Sequence, residues 1–187
     1  MGPMRHRDFK QPEFQEYTRA LGEMVLAWND LHLELSGLFG TIIGIHNKII
    51  PSAMWNAVNS DRSQRELISA VTNLNENTLG LNIPDHVRKE TRFILKRATA
   101  LEDFRNDALH APIVSGQDGE IIPFSGMGNK RARKLSSKND TLKDIHIFYE
   151  EVIILRDYVF HITDAMRHTR PWPDRPKMPN RERPKNK

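Results

Sequence analysis

An arginine, an asparagine and a histidine stand close together, as Arg105, Asn106 and His110, in the segment that ends at Pro112. A histidine side chain titrates near neutral pH, so its neutral imidazole can accept a proton from a hydroxyl group. An arginine guanidinium offers paired hydrogen-bond donors to phosphate oxygens while negative charge builds up on them. The two residue types together suit metal-free cleavage of RNA, in which a ribose 2′-OH attacks the adjacent phosphate.

The spacing alone is weakly specific, because seventeen arginines and eight histidines in 187 residues give about 0.7 such pairs by chance. A second pair, Arg156 and His161, has the same spacing. Five steps separate two side chains by about 140° around an ideal helix. Arg156 and His161 lie in the middle of a predicted helix, whereas Pro112 ends the helix that carries Arg105 and His110. We therefore expect His110 to leave the helical path and turn back, which favours the first pair.

With Asn106 directly after Arg105, the segment resembles the HEPN superfamily of small helical-bundle proteins, many of which are RNA-cleaving toxins and defence nucleases. The family signature is an arginine, a polar residue, three to five further residues and a histidine. The resemblance in helix arrangement covers residues 13–167, and its specific content is Arg105, Asn106 and His110. On this interpretation His110 is the general base and Arg105 binds the phosphate. Asn106 orients His110 or bonds a phosphate oxygen.

The resemblance also implies how the site is assembled and regulated. Sites of this family are usually formed across a homodimer with two motifs facing each other, so we expect a homodimer with a composite site. The expected products are a 2′,3′-cyclic phosphate and a 5′-OH, with RNA as substrate, no cofactor, and an antitoxin or regulatory protein as a further partner. One subfamily has a tyrosine two residues after the histidine, where this chain has Pro112. That difference argues against a toxin paired with a nucleotidyltransferase.

Purely structural roles would also explain the motif. Arg105 can pair with Glu102, Asp103 or an acid on the first helix, and a protonated His110 can stabilise a helix C-terminus. Several HEPN proteins have lost catalysis, so two alternatives to a nuclease remain. One is a non-catalytic helical interaction or regulatory protein of the same fold. The other is an RNA-binding module that does not cleave.

Positive charge is concentrated outside the predicted helical body. The whole chain carries a net charge of +4, but residues 13–124 and 144–169 together carry −8. Residues 125–143 and 170–187 each carry +5. The internal basic segment contains four cations that can bind RNA phosphates without reading sequence, or can simply be a solvated loop: Lys130, Arg131, Arg133 and Lys134.

Apolar residues recurring at three- and four-residue steps predict an all-α bundle of four or five helices. The predicted helices are Glu13–Ile45, Ser52–Asn75 with a break between Asn59 and Arg65, Pro84 to Pro112, and Thr141–Arg167. A small hairpin over Ile113–Ile122, turning at Gly116–Gly119, precedes the last helix. The domain spans 13–169 with an insert at 113–140, between a flexible N-terminus (1–12) and a disordered basic tail (170–187). Within the tail, Pro173–Pro176 and Pro176–Pro179 have the PxxP spacing of polyproline ligands.

Several function classes are excluded by composition. The chain contains no cysteine, which removes disulfides and thiolate chemistry and fits a cytoplasmic location. The longest apolar run, Leu38–Ile45, is far shorter than the about 20 residues of a membrane-spanning helix. The histidines lack paired metal-ligand spacing, so we expect no metal site, and we expect Trp28 and Trp55 in the core.

Overall fold

Five helices and one hairpin make up the part of the chain that the structure, a computed structural model, describes: residues 11–45, 47, 49–74, 83–115, 121–123, 130–131 and 141–179. The elements are α1 (Pro12–Ile42), α2 (Ile49–Asn56), α3 (Asp61–Thr72), α4 (Asp85–His110), β1 (Ile113–Ser115), β2 (Ile121–Pro123) and α5 (Thr141–His168). This confirms the predicted all-α bundle with a hairpin before the last long helix. Residues 1–10, the turn 116–119 and the tail beyond 179 lie outside the described residues.

The predicted second helix is two helices, as the polar stretch after residue 58 suggested. Ser60 has extended backbone angles, with φ −147° and ψ 147°, and acts as the N-cap of α3. Its side-chain oxygen accepts a hydrogen bond from the Ser63 amide at 3.1 Å. Ser60 therefore satisfies an amide that the first turn of a helix leaves without a backbone partner.

The chain divides into two compact units, and the first contains the described residues of 1–26, 102–150 and 179. Its core includes Tyr17 and Met24 of α1, which are almost fully buried. The rings of Phe104 and Phe148 stack with centroids 5.5 Å apart, so α4 packs against α5 in this unit. The hairpin is antiparallel, with Val114 opposite Ile122.

The second unit contains the described residues of 27–101 and 151–178. Trp28 and Trp55 are buried, as predicted. The Trp28 indole donates to Asp61 Oδ2 at 2.8 Å, which connects α1 to α3. Arg167 of α5 donates from Nε to Thr41 Oγ1 at 2.9 Å and from Nη2 to the Gly37 carbonyl at 3.2 Å. Polar bonds therefore link α1 to two other helices of this unit.

Two residues of the predicted tail, Trp172 and Arg175, contact α4. The Trp172 ring meets the His86 ring edge-on at 4.6 Å, and Arg175 forms a two-point ion pair with Glu90. Composition predicts a disordered tail because the segment has little to bury. We call the surface that receives it the tail groove, formed by His86, Glu90, Phe93 and Tyr158.

Candidate functional site

His110 remains helical, so the expected departure from the helical path is wrong. Helix α4 includes His110, and the Ala111 amide still donates to the Asp107 carbonyl at 3.0 Å. The reason lies in which residue Pro112 affects. A proline disfavours helical angles in the residue directly before it, which is Ala111, and leaves His110 free to complete the last turn.

Helical geometry therefore separates Arg105 from His110 within one chain. Their side chains leave the helix about 140° apart, with about 7.5 Å of rise between their Cα atoms. Asn106 and His110 are four residues apart and share one face of α4. The helix thus brings Asn106 and His110 together and points Arg105 to another side, so one chain alone does not assemble all three residues.

The burial of these residues follows from how the end of α4 packs. Phe104 and Ala108 are buried at 6% and 2% exposure and set the inward face of the helix. Arg105, on the flank of this face, and Asn106 are both half-buried, and the Arg105 Nε atom is itself buried. His110 is exposed. Packing therefore restrains the guanidinium, whereas the imidazole is accessible to a ligand from solvent.

Two of the four predicted RNA-binding cations can be described. Lys130 and Arg131 are exposed, so their charges can reach a ligand in solvent. Arg133 and Lys134 lie outside the described residues. The four cations remain a prediction.

The second Arg–His pair lies in the middle of α5, as the sequence indicated. The Arg156 guanidinium donates to Asp157 Oδ1 from Nη2 at 2.7 Å and approaches Asp30 Oδ2 to 3.9 Å. His161 is exposed and its ring lies against Phe160. Arg156 thus takes part in surface ion pairs, and a phosphate would have to compete with two carboxylates for it.

A cavity of about 210 Å³ lies in the second unit, away from the motif in sequence. Leu33 and Phe160 line it and are 65% and 50% exposed. Two charged residues of the wall, Arg167 and Asp164, already bond to protein groups, the latter to Arg170 at 2.8 Å. None of the predicted site residues lines this cavity.

Among the described residues, the largest pKa shift belongs to Tyr158, which lies in the tail groove. Hydrogen bonds from Arg175, opposed by burial, lower the pKa of Glu90 overall. Burial, and then the hydrogen bond that the phenol donates to Glu90 at 2.8 Å, raises the pKa of Tyr158. Sequence reasoning missed this surface, although His86, Glu90 and Phe93 recur at the spacing of one helix face.

The described residues contain no group of three or more histidines or acids that could hold a metal ion. Among the same residues, every helix is too short or too polar to cross a membrane. No protein-family model matches the chain, and neither any curated protein nor any solved structure matches it.

Proposed function

We propose that the chain is a metal-independent endoribonuclease of HEPN type that acts in the cytoplasm as a homodimer, as a toxin or an antiviral defence effector. His110 takes the proton of a ribose 2′-OH, and Arg105 binds the phosphate while its charge builds up. Asn106 holds the imidazole in its working orientation. The 2′-oxygen bonds to phosphorus while the P–O5′ bond breaks, and the leaving 5′-oxygen takes a proton from water, which leaves a 2′,3′-cyclic phosphate and a 5′-OH.

The observation that carries this proposal is the arrangement at the end of α4. Asn106 and His110 share a helix face, His110 is accessible, and packing restrains Arg105. A positioned acceptor with an orienting neighbour and a fixed cation are the parts that such a cleavage needs. Lys130 and Arg131, both exposed, would add non-specific attraction to RNA.

The separation of Arg105 from His110 around the helix favours a composite site. In a symmetric homodimer, each copy would present its Arg105 to the His110 of the other copy, so both sites would be complete. This is why we propose a homodimer as the active form.

Cleavage of a mixed RNA in EDTA tests the proposal, with His110→Ala as the inactive variant. Loss of a general base costs about 10²- to 10⁴-fold in rate, so we expect His110→Ala to be inactive on the assay scale. His161→Ala is the matched control, because His161 is also exposed and follows an arginine by five residues. It should cleave as the parent does and leave cyclic phosphate ends.

Other outcomes would favour the alternatives. Equal cleavage by parent and His110→Ala would remove His110 from the reaction. RNA binding without cleavage by any of the three proteins would favour a binding module. Neither binding nor cleavage would favour the non-catalytic interaction protein.

A further inference from the structure

The tail of the chain contacts the tail groove through three different kinds of interaction. Arg175 donates from Nε to Glu90 Oε2 at 3.0 Å and from Nη2 to Glu90 Oε1 at 2.7 Å. The Arg175 guanidinium carbon also lies over the Phe93 ring, 4.5 Å from its centroid. Trp172 adds the edge-on ring contact with His86. A two-point ion pair with a stacked guanidinium is a contact that arginine makes and lysine does not.

The groove is held in shape by its own residues. The Tyr158 phenol donates to Glu90, and its ring meets Phe93 edge-on at 6.0 Å. The Glu90 side chain is only 16% exposed, whereas that of Arg175 is 49% exposed. The Glu90 carboxylate is therefore part of the tail groove itself, whereas the Arg175 side chain lies at the surface of the groove.

The tail has the properties of a peptide ligand. Pro171, Pro173 and Pro176 restrict the backbone around Trp172 and Arg175, so the segment loses little freedom when it binds. Trp172 and Arg175 are three residues apart, which in an extended polyproline conformation spans about 9 Å. Along α4, His86 and Glu90 are one helical turn apart, so the two anchors meet partners on a single helix face.

The turn that returns the tail to the groove is conformationally unfavourable. Thr169 directly follows α5 and has a φ of 51°, a left-handed conformation that a β-branched residue rarely adopts. Such a conformation persists only when surrounding contacts impose it. Release of the tail relieves it, so the same segment from another molecule, which needs no turn at Thr169, fills the groove without this cost.

We propose that the tail groove is a peptide-binding site for a proline-rich segment with tryptophan and arginine three residues apart, and that in trans it takes residues 172–176 of a second copy. The chain's own tail is the resident ligand and competes with the incoming segment. Because the resident tail is tethered beside its site, it has a high effective concentration there. An incoming segment therefore binds most tightly when the resident anchors, Trp172 and Arg175, have been removed.

A labelled peptide of residues 169–179, followed by fluorescence polarisation, tests this with full-length proteins. The host is the double variant Trp172→Ala/Arg175→Ala, which keeps the groove and loses the resident anchors. We expect saturable binding to the host and at least about tenfold weaker binding to the parent, whose groove is occupied. Lys177→Ala removes an exposed tail cation outside the contact and should behave like the parent.

Adding Glu90→Gln to the host should weaken binding at least about tenfold, because glutamine keeps the acceptor for Tyr158 but not the charge. A peptide with Arg175→Lys should also bind more weakly. The proposal is overturned if the host does not bind the peptide, if host and parent bind equally, or if Glu90→Gln has no effect. The single variant Arg175→Gln serves as a second host. Circular dichroism verifies that each protein is folded.

Discussion

Glu90 and His110 lie on one helix but in different surroundings, and these surroundings decide what each side chain does. Glu90 is half-buried and bonds to two side chains, whereas His110 is exposed at the helix end. The first arrangement suits an ionised carboxylate that pairs with a cation of the protein. The second suits a group that must meet a substrate.

The lowered pKa of Glu90 predicts how the tail contact depends on pH. Since the pKa falls below its ordinary value of 4.5 when Arg175 is bound, the stabilisation is complete above pH 4.5. It is lost as pH falls through the lowered pKa. We expect the tail to leave the groove on acidification below pH 4.5 and to stay bound at neutral pH.

Fluorine NMR of protein labelled with 5-fluorotryptophan measures this, with the Trp172 signal assigned by Trp172→Phe. Glu90→Gln should remove the acid step from that signal, which assigns the step to Glu90. A Trp172 transition with the same midpoint in both proteins would contradict the prediction.

The sequence predicted which residue types could do chemistry better than it predicted which residues lie next to each other in the fold. The motif of Arg105, Asn106 and His110 was found because its members are close along the chain. The tail groove was missed because Glu90, Tyr158 and Arg175 are distant in sequence, and only packing brings them together. Composition alone also gave no sign of the contacts that Trp172 and Arg175 make with α4.

At the scale of elements, periodicity predicted the helices well because each buries one apolar face. The break between α2 and α3 followed from a polar stretch with a good N-cap. The end of α4 was less predictable, since Pro112 constrains Ala111 and not the residue before it. This one-residue difference decides whether His110 turns back.

The approach of α2 to α1 depends on the absence of a side chain at Gly40. A Cβ at this position would lie 2.8 Å from Pro51 Cγ, and a proline ring has little freedom to move away. We expect Gly40→Ala to lower the free energy of unfolding by about 1–3 kcal/mol through overpacking. Urea denaturation followed by circular dichroism measures the change.

Gly22→Ala is the matched control on the same helix. A Cβ there meets nothing within 4 Å, so alanine should raise the free energy of unfolding by up to about 1 kcal/mol through its higher helix propensity. Destabilisation of similar size by both substitutions would show that the contact with Pro51 is not the cause.

At the scale of the whole molecule, the charge distribution and the proposed dimer both bear on how RNA would reach the site and be cleaved. The net charge of +4 is the sum of a body of −8 and basic attachments, so under the proposed function the basic attachments would supply the attraction to RNA. An acidic body repels RNA except where the attachments cover it. This negative charge lies in the first unit, where residues 13–26, 102–124 and 144–150 together carry −8, whereas residues 27–101 and 151–169 of the second unit carry no net charge. We therefore expect RNA binding near the end of α4 to depend on the cations Lys130 and Arg131.

A composite site predicts that two inactive variants restore each other. In a mixed dimer of Arg105→Ala and His110→Ala, one of the two sites has an intact arginine from one chain and an intact histidine from the other. Random exchange of subunits should give about a quarter of the parent's activity per chain. RNA cleavage after the two purified variants are unfolded together and refolded measures it.

Each variant refolded alone is the control and should remain inactive. Activity no higher in the mixture than in the separate variants would mean that Arg105 and His110 act within one chain, or not at all.

The burial of the three tryptophans has a practical consequence. Trp28 and Trp55 are 1% and 4% exposed, whereas Trp172 is partly open to solvent beside His86. A water-soluble quencher such as iodide will therefore reach the tail's indole before the other two. The unlabelled protein contains its own optical reporter, and the quenchable part of its emission follows whether the tail is in place.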